Sequence, residues 1–226
     1  MKKYTIAFLC ALLALALCGA AMAETVYVTI ADGQGQLVLI NAAIEVSDTD
    51  ADGALTINDA LFAAHEAAYE GGAEAGYAAA DMGYGLSISR LWGEENGGSY
   101  GYYLNDVSAY SLLDPVADGD YLNAFVYTDL ETWSDTYCAF DCVAVEMEAG
   151  KEVELTLNMM TFDAEWNPVN LPVEGAILTI DGEDSEVVTD AEGKAQFTIE
   201  AAGEYLISAC SDSAILVPPV CIVTVK

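Results

Sequence analysis

Hydrophobic and polar residues alternate along much of the chain between residues 24 and 150, and this pattern predicts an α+β domain rich in strands. Apolar residues alternate or run continuously in five stretches, which predict strands at 26–30, 36–46, 86–92, 100–104 and 121–127. Ile57, Leu61, Ala64 and Ala68 instead share one face of a helix. Thr56 can cap the start of that helix, which we expect to end at Gly71-Gly72.

The rest of the chain, 151–226, has shorter patterns that all favour strands. We predict strands at 153–159, 176–180, 186–189, 195–199, 204–209 and 220–225, separated by turns such as Asp181-Gly182 and Ala202-Gly203. Strands at this spacing predict an immunoglobulin-like sandwich. We place the domain boundary at Gly150, which leaves the strand pattern of 137–147 in the first domain.

Residues 1–23 have the pattern of a secretory signal peptide. Lys2 and Lys3 precede an apolar run over 6–17, and Ala21-Met22-Ala23 offers small residues for cleavage. The run is short for a permanent membrane helix. We therefore expect a bacterial protein that is secreted or loosely associated with the cell surface, without an integral membrane segment after cleavage.

The composition is strongly acidic, with a formal net charge of −31 from 37 acidic and 6 basic residues. Such a charge repels nucleic acid and anionic membrane surfaces at long range. It favours cations as small partners. The hydrophobic fraction of 54% favours a folded chain over a disordered one.

Residues 48–59 carry the candidate metal site. Asp48, Asp50 and Asp52 alternate, Gly53 follows at the sixth position, and Asp59 closes the stretch at the twelfth. Calcium takes about six to eight oxygens, which a loop of this length supplies from alternate positions and its last residue. We predict a Ca²⁺ site whose ligands are Asp48, Asp50, Asp52, the Ala54 carbonyl, Thr56 (directly or through a water) and Asp59.

The loop closes on Asp59 rather than on the usual glutamate, and in this it resembles the calcium loop of dockerin modules. Dockerins carry two such loops, whereas this sequence shows one. The resemblance therefore implies the ion and not the protein partner of a dockerin. The flanking patterns predict a strand before the loop and a helix after it.

Four cysteines follow the signal segment: Cys138, Cys142, Cys210 and Cys221. They allow three pairings, and sequence alone does not choose among them. A bridge between Cys210 and Cys221 is plausible because Cys210 ends one apparent strand and Cys221 begins the next. Cys138 and Cys142 in one straight strand would lie about 13 Å apart, too far to bond unless 140–141 forms a turn. An anaerobic habitat would leave all four reduced.

A second resemblance covers about residues 24 to 150. Trp92, the run 101–106 (Gly-Tyr-Tyr-Leu-Asn-Asp), Asp114-Pro115 and Gly119-Asp120 occur in an order similar to that of the transcobalamin C-terminal-like domain family. The resemblance implies a small β-grasp-like fold in an exported bacterial protein. In the family's vertebrate members this domain forms one side of a corrinoid pocket. Here the usual Asn-Gly turn is Asn105-Asp106, and a calcium loop is built in.

Aromatic residues are the remaining candidates for binding. Trp92, Tyr103 and Trp133 are our candidate ligand-binding side chains, with Tyr103 and Trp133 expected to be exposed. His65 is the only histidine; its mid-helix position predicts a partly exposed side chain without a catalytic role.

These observations favour a non-catalytic, calcium-stabilised binding or adhesion module. Its ligand could be a glycan, a protein or a corrinoid. Corrinoid (cobalamin) binding is the alternative function. A carboxylate-dependent glycan hydrolase is the less favoured one, because it needs two acids held about 5–10 Å apart in a cleft.

Overall fold

The computed structural model describes residues 24–83, 85–165 and 167–226. The predicted signal peptide, 1–23, lies outside the described residues. Within the described part of the chain, neither helix has the length and hydrophobicity that a bilayer crossing requires.

The first half of the described chain contains two helices and seven strands. Its elements are β1 (Glu24–Ala31), β2 (Leu37–Val46), α1 (Ile57–Ala68), α2 (Gly72–Gly76), β3 (Ala78–Asp81), β4 (Leu86–Arg90), β5 (Tyr100–Leu104), β6 (Val107–Ser108) and β7 (Tyr121–Val126). The strands predicted from alternation and the helix predicted from its period are confirmed. The segment 72–81 forms α2 and β3.

Five of these strands form one mixed sheet in the order β2-β1-β7-β5-β6. β1 pairs with β2 in an antiparallel hairpin and with β7 in parallel, and β5 pairs antiparallel with β7. The core lies between this sheet and α1, where Val28, Leu61 and Leu122 are fully buried. The Asn105-Asp106 turn joins β5 to β6, and both residues have positive φ, 51° and 59°, as a tight hairpin turn requires.

The second half consists of strands and turns. Its elements are β8 (Thr136–Phe140), β9 (Ala144–Met147), β10 (Glu152–Phe162), β11 (Pro168–Pro172), β12 (Ile177–Ile180), β13 (Glu183–Val188), β14 (Lys194–Thr198), β15 (Gly203–Cys210), β16 (Leu216–Val217) and β17 (Cys221–Val225). The all-β character predicted for this region is confirmed.

Two five-stranded sheets pack face to face in this half. One has the order β11-β10-β8-β16, with β14 also paired to β10, and the other has the order β13-β12-β15-β17-β9. Leu157 and Phe197 of the first sheet share a buried cluster with Ile207 and Val223 of the second. Apolar side chains at alternate positions of both sheets thus form one core.

The boundary between the halves lies earlier than the predicted Gly150. β8 pairs with β10 and β16, and β9 pairs with β17, so the whole of 136–147 belongs to the second half. The pattern of 137–147 was expected to be one strand of the first domain. It is two strands, because the chain leaves one sheet after Phe140 and enters the other at Ala144.

Tyr137 of β8 joins the two halves. Its ring stacks on that of Tyr103 in β5, with centroids 3.7 Å apart and planes 7° from parallel. Its hydroxyl donates to Asp106 Oδ1 at 2.7 Å and accepts from Asn123 Nδ2 at 2.8 Å. The buried ring therefore finds its stacking partner and its hydrogen bonds in the other half. Burial, with Asp106 beside the hydroxyl, raises the pKa of Tyr137 well above its ordinary value.

His65 is fully buried, and the prediction of a partly exposed side chain is wrong. The helix face that carries it is covered by the turn after β4. Its Nε2 accepts a hydrogen bond from the Trp92 N–H at 3.0 Å, so the proton lies on Nδ1, 2.6 Å from the Leu61 carbonyl. The ring also stacks on Tyr77 with centroids 5.2 Å apart. Burial lowers the pKa of His65, although the Leu61 carbonyl opposes part of this effect.

The structure does not place Cys210 beside Cys221, as the predicted bridge between them would require. β15 and β17 pair antiparallel with Ile207, not Cys210, opposite Cys221. Cys210 is exposed, and its Sγ lies 3.8 Å from a carboxylate oxygen of Asp184. Cys221 is buried and its Sγ lies 3.9 Å from the Sγ of Cys142.

Replacing His65 with Gln should remove a pH dependence of stability. The unfolded imidazole takes up a proton near its ordinary pKa of about 6.5, whereas the pKa of the folded ring is lowered. The stabilisation from His65 is therefore complete above about pH 6.5 and is lost as the pH falls toward the folded pKa. Urea titrations of wild type and His65→Gln should give a difference in unfolding free energy that is largest near about pH 7.5 and smaller near about pH 5. A difference that stays constant over this range would contradict a buried neutral ring.

Candidate functional site

Three carboxylates converge in the loop between β2 and α1. Asp48, Asp50 and Asp52 each place one oxygen within 4.8 Å of the others, and all three side chains are exposed. Carboxylate oxygens are hard ligands of the kind that Ca²⁺ prefers. The structure thus brings together the three alternating acids of the predicted site.

Backbone hydrogen bonds turn the loop around these acids. Asp48 accepts from the N–H groups of Asp52 and Gly53, at 3.1 and 2.9 Å, and Asp52 accepts from the Ala54 N–H at 2.8 Å. Gly53, at the sixth position, has a φ of 92°, a sharp turn that glycine adopts at little cost. Each acid therefore bonds the backbone a few residues later, and the chain curls so that successive carboxylates face one centre.

Asp59 does not join the three acids, although the spacing predicted it as a ligand. One of its oxygens accepts from the N–H and hydroxyl of Thr49, and the other accepts from the N–H and hydroxyl of Thr56. Thr56 in turn accepts from the Asp59 N–H, which completes a capping box at the start of α1. Thr56, another predicted ligand, is therefore committed to the cap as well.

The hydrogen bonds to Asp59 outweigh its burial. Its side chain is fully buried, and burial by itself would raise the pKa of the carboxyl. The bonds from Thr49 and Thr56 reverse this effect and lower the pKa below its ordinary value. Asp59 is thus a buried, ionised group that ties the start of the loop to the first turn of the helix.

The pKa of Asp50 is shifted in the opposite direction to that of Asp59. Desolvation raises the pKa of its carboxyl, and the charges of Asp52, Asp59 and Asp48 raise it further, against a backbone hydrogen bond from Asp52 that lowers it. Like charges this close favour protonation or a bound cation. A divalent ion among the three exposed acids would remove the repulsion.

The loop is anchored where it enters α1. Leu55, at the eighth position, packs against the core of the first half. Its carbonyl accepts from the Val116 N–H at 2.9 Å, and Thr56 forms a bridge with Pro115. The segment 115–116 therefore holds the end of the loop against the first half.

A cleft of about 330 Å³ lies on another surface, where the edge strand β6 meets the hairpin of β10 and β11. Its lining is mainly apolar and aromatic, with hydroxyl groups from two tyrosines, a serine and a threonine. The lining residues are Tyr103, Val107, Ser108, Tyr110, Met160, Thr161, Phe162 and Pro168. Several are unusually exposed for apolar side chains: Tyr110 is 95% exposed, Val107 53% and Phe162 48%.

The three aromatic residues predicted to bind a ligand lie in separate surroundings. Tyr103 lines the cleft but is half-buried, because its ring stacks on Tyr137. Trp92 packs edge-on against Tyr69, with centroids 5.2 Å apart, in the cluster around His65. Trp133 is 60% exposed, and its indole N–H donates to Ser99 at 3.0 Å.

Sequence patterns missed the rest of the cleft and the role of Thr49. Met160 and Phe162 lie in the second half and come next to Val107 only because β8 docks β10 beside the first sheet. The capping box can be predicted from the sequence, because Thr56 is followed three residues later by the acid Asp59 at the start of an apolar helical face. Thr49 bonds Asp59 across ten residues and has no such signature.

Comparison with known proteins assigns no family. Neither a family model nor a curated protein matches the sequence. Among solved structures, the chain is similar to the N-terminal four Ig domains of Dscam1 isoform 4.4, with 10% identity, a TM-score of 0.26, and 49% of this chain and 24% of that chain covered. It is also similar to the ectodomain of the teleost fish polymeric Ig receptor, with 12% identity, a TM-score of 0.23, and 62% of this chain and 59% of that chain covered. The chain thus spans about a quarter of the Dscam1 structure, and overlaps with TM-scores this low carry no argument about fold or function.

Replacing Asp59 with Asn should destabilise the protein even without calcium. Asn keeps the size of the side chain but replaces one acceptor oxygen by a donor, which leaves the donors of Thr49 or Thr56 unpaired. We expect a loss of about 2 kcal/mol of unfolding free energy, measured by urea titration in EDTA. Asp52→Asn is the control, because Asn retains the acceptor for the Ala54 N–H. Equal stability of Asp59→Asn and wild type in EDTA would show that Asp59 serves only a metal.

Proposed function

We propose that this chain is an exported, non-catalytic binding module that captures a protein partner in the aromatic cleft between its two halves. The observation that carries the proposal is the exposure of Tyr110, Val107 and Phe162 around a single cleft. Apolar clefts of this size with a few polar groups are the usual form of a binding site. Exposed tyrosine is also enriched at protein interfaces.

The charge of the chain favours a basic partner. The net charge is −31, and Asp163 directly adjoins the lining residue Phe162 in sequence. Asp114, whose carboxylate accepts from the Tyr110 N–H at 2.9 Å, adds a second acid beside the cleft. An apolar or aromatic side chain flanked by lysine or arginine would fill the cleft and pair with this acidic rim.

The lining of the cleft supports a role in binding rather than catalysis. Among the described residues that line it there is no carboxylate and no histidine. A glycan hydrolase needs two carboxyl groups about 5–10 Å apart in the cleft that holds the substrate. His65 is buried, with both ring nitrogens in hydrogen bonds, which supports a structural role.

We further propose that Ca²⁺ stabilises the module through Asp48, Asp50 and Asp52. Their convergence and mutual repulsion support this assignment. Asp59 would act as a positioning residue that holds the loop closed through Thr49. The Ala54 carbonyl and Thr56 remain predicted ligands.

The sheet order supports the resemblance to the transcobalamin C-terminal-like family. Strands β1 and β7 lie side by side and parallel at the centre of a mixed sheet that α1 covers, which is the arrangement of a β-grasp fold. We propose this fold for the first half and an immunoglobulin-like sandwich for the second. The pattern of residues 1–23 supports export.

Calcium should raise the melting temperature of the wild-type protein. At about one hundred times its dissociation constant, an ion that binds only the folded state adds about 2.7 kcal/mol, which corresponds to about 5–10 °C for a chain of this size. Asp50→Asn should abolish the shift. In EDTA the same variant should melt higher than wild type, because it removes a charge crowded by Asp48, Asp52 and Asp59.

Asp212→Asn is the matched control, since Asp212 is an exposed acid far from the loop in sequence. It should retain the full calcium shift, and Mg²⁺ should reproduce little of it. A melting temperature that Ca²⁺ leaves unchanged would refute the metal site and leave the cleft proposal intact.

Binding in the cleft can be tested with immobilised peptides that carry a single Phe, Tyr or Leu. We expect the protein to bind the peptides flanked by lysine and arginine and not those flanked by glutamate, with affinity that falls as salt rises. Tyr110→Ser should weaken binding about tenfold, as loss of a central aromatic contact does. Fluorescence anisotropy with a labelled peptide gives the dissociation constants.

Trp133→Ser is the control for Tyr110→Ser, because Trp133 is also aromatic and exposed but does not line the cleft. It should leave peptide binding unchanged. A glycan array and cobalamin, read by a shift of corrin absorbance, serve as the alternative arms. If the protein binds a glycan or cobalamin and Tyr110→Ser abolishes that binding, the ligand of the cleft is that molecule and not a protein. If Trp133→Ser abolishes peptide binding and Tyr110→Ser does not, the binding site is not the cleft.

A further inference from the structure

Two cysteines from distant parts of the sequence meet inside the second half. Cys142 lies in the segment between β8 and β9, and Cys221 is the first residue of β17. They are 79 positions apart, yet their Sγ atoms lie 3.9 Å from each other. Cys221 is fully buried, and Cys142 is half-buried.

The backbone on both sides of this pair is fixed. β9 and β17 are parallel neighbours from the pair Ala144 and Ile222 to the pair Met147 and Val225. The Ile222 N–H donates to the Val143 carbonyl at 2.9 Å. Because the residue that follows each cysteine is held by this backbone hydrogen bond, the main chain keeps the two cysteines side by side.

The two sulfurs lie within about 2 Å of the length of a disulfide bond. A disulfide has an S–S length of about 2.05 Å, so each sulfur would move by about 1 Å, which a small rotation about the Cα–Cβ bond provides. The other two cysteines have different neighbours. Cys138 is buried with its thiol 3.3 Å from the Val217 carbonyl, and Cys210 faces Asp184 on the surface.

We propose that Cys142 and Cys221 are a disulfide-forming pair, oxidised by a disulfide-bonded thiol oxidant after export. The thiolate of Cys142, the more exposed of the two, attacks the S–S bond of the oxidant and releases one oxidant thiol. The Cys221 thiolate then displaces the second oxidant sulfur from the mixed disulfide. Two protons and two electrons leave the protein, and the oxidant becomes a pair of thiols.

The environment of the pair favours a structural bond over a reactive one. Burial raises the pKa of both thiols, so little thiolate is present at neutral pH and uncatalysed exchange is slow. Once formed, the bond would link the entry of β9 to the start of β17 and close a loop that contains most of the sandwich. A cross-link over a loop of this length restricts the unfolded chain strongly.

The pairing can be read directly by peptide mapping of the full chain, exported and purified without reductant. One sample is treated with oxidised glutathione and a second with a phosphine reductant, and both are alkylated under native and then denaturing conditions. After oxidation we expect one cross-linked pair of peptides, containing Cys142 and Cys221, and alkylated Cys138 and Cys210. A cross-link that involves Cys138 or Cys210, or four alkylated thiols after oxidation, would overturn the proposal.

Thermal melting gives a second, independent measure. The oxidised protein should melt about 10 °C above the reduced protein. Cys142→Ser should abolish this difference while melting close to the reduced wild type, because Cys142 is only half-buried. Cys210→Ser is the matched control and should retain the difference. Loss of the difference in Cys210→Ser and not in Cys142→Ser would assign the bond to Cys210 instead.

Discussion

The stack of Tyr137 on Tyr103 is the contact on which the arrangement of the two halves depends. Tyr137 is 4% exposed, and its ring and hydroxyl are both satisfied by residues of the first half. A buried tyrosine without a partner for its hydroxyl would be costly, so this residue favours the docked state over a separated one. The cleft exists because this contact brings Phe162 of β10 beside Val107 of β6.

Asp106 couples the same junction to a hairpin turn. It accepts from the hydroxyls of Tyr121 in the first half and Tyr137 in the second, at 2.9 and 2.7 Å. The turn that carries Asp106 leads directly into Val107 at the edge of the cleft. A substitution that relaxes this turn would therefore change the cleft as well as the contact between the halves. The cleft and the docking of the halves are therefore one structural unit.

The acids of the loop at 48–59 have two different roles, although the sequence pattern predicted one role for all of them. Asp59 fixes the loop to α1 through Thr49 and Thr56, while Asp48, Asp50 and Asp52 form the exposed acidic group. A buried carboxylate with four donors is stable without a cation, whereas crowded exposed carboxylates are not. The helix cap therefore holds the loop in the conformation in which the three acids converge. The ion that we propose would relieve the repulsion among them.

Local patterns predicted most elements because their causes are local. The period of Ile57, Leu61 and Ala64 defined α1, the Thr56 cap defined its start, and alternation defined the strands of both halves. The same reasoning failed at 137–147, where alternation predicted a strand but could not predict which sheet it would pair with. Pairing partners are chosen by packing over long separations, which the period of a single strand does not encode.

By itself the sequence determined the capped helix, the sharp turn at Gly53, the Asn105-Asp106 hairpin and the strand-rich character of both halves, since each follows from backbone preferences within a few residues. Tertiary structure alone decided that His65 is buried beneath Trp92 and that Cys221 meets Cys142. It also decided that an apolar cleft opens between β6 and β10. These outcomes depend on which distant surfaces pack together. That choice is made by the burial of whole faces of sheet and helix, and no short stretch of sequence contains it.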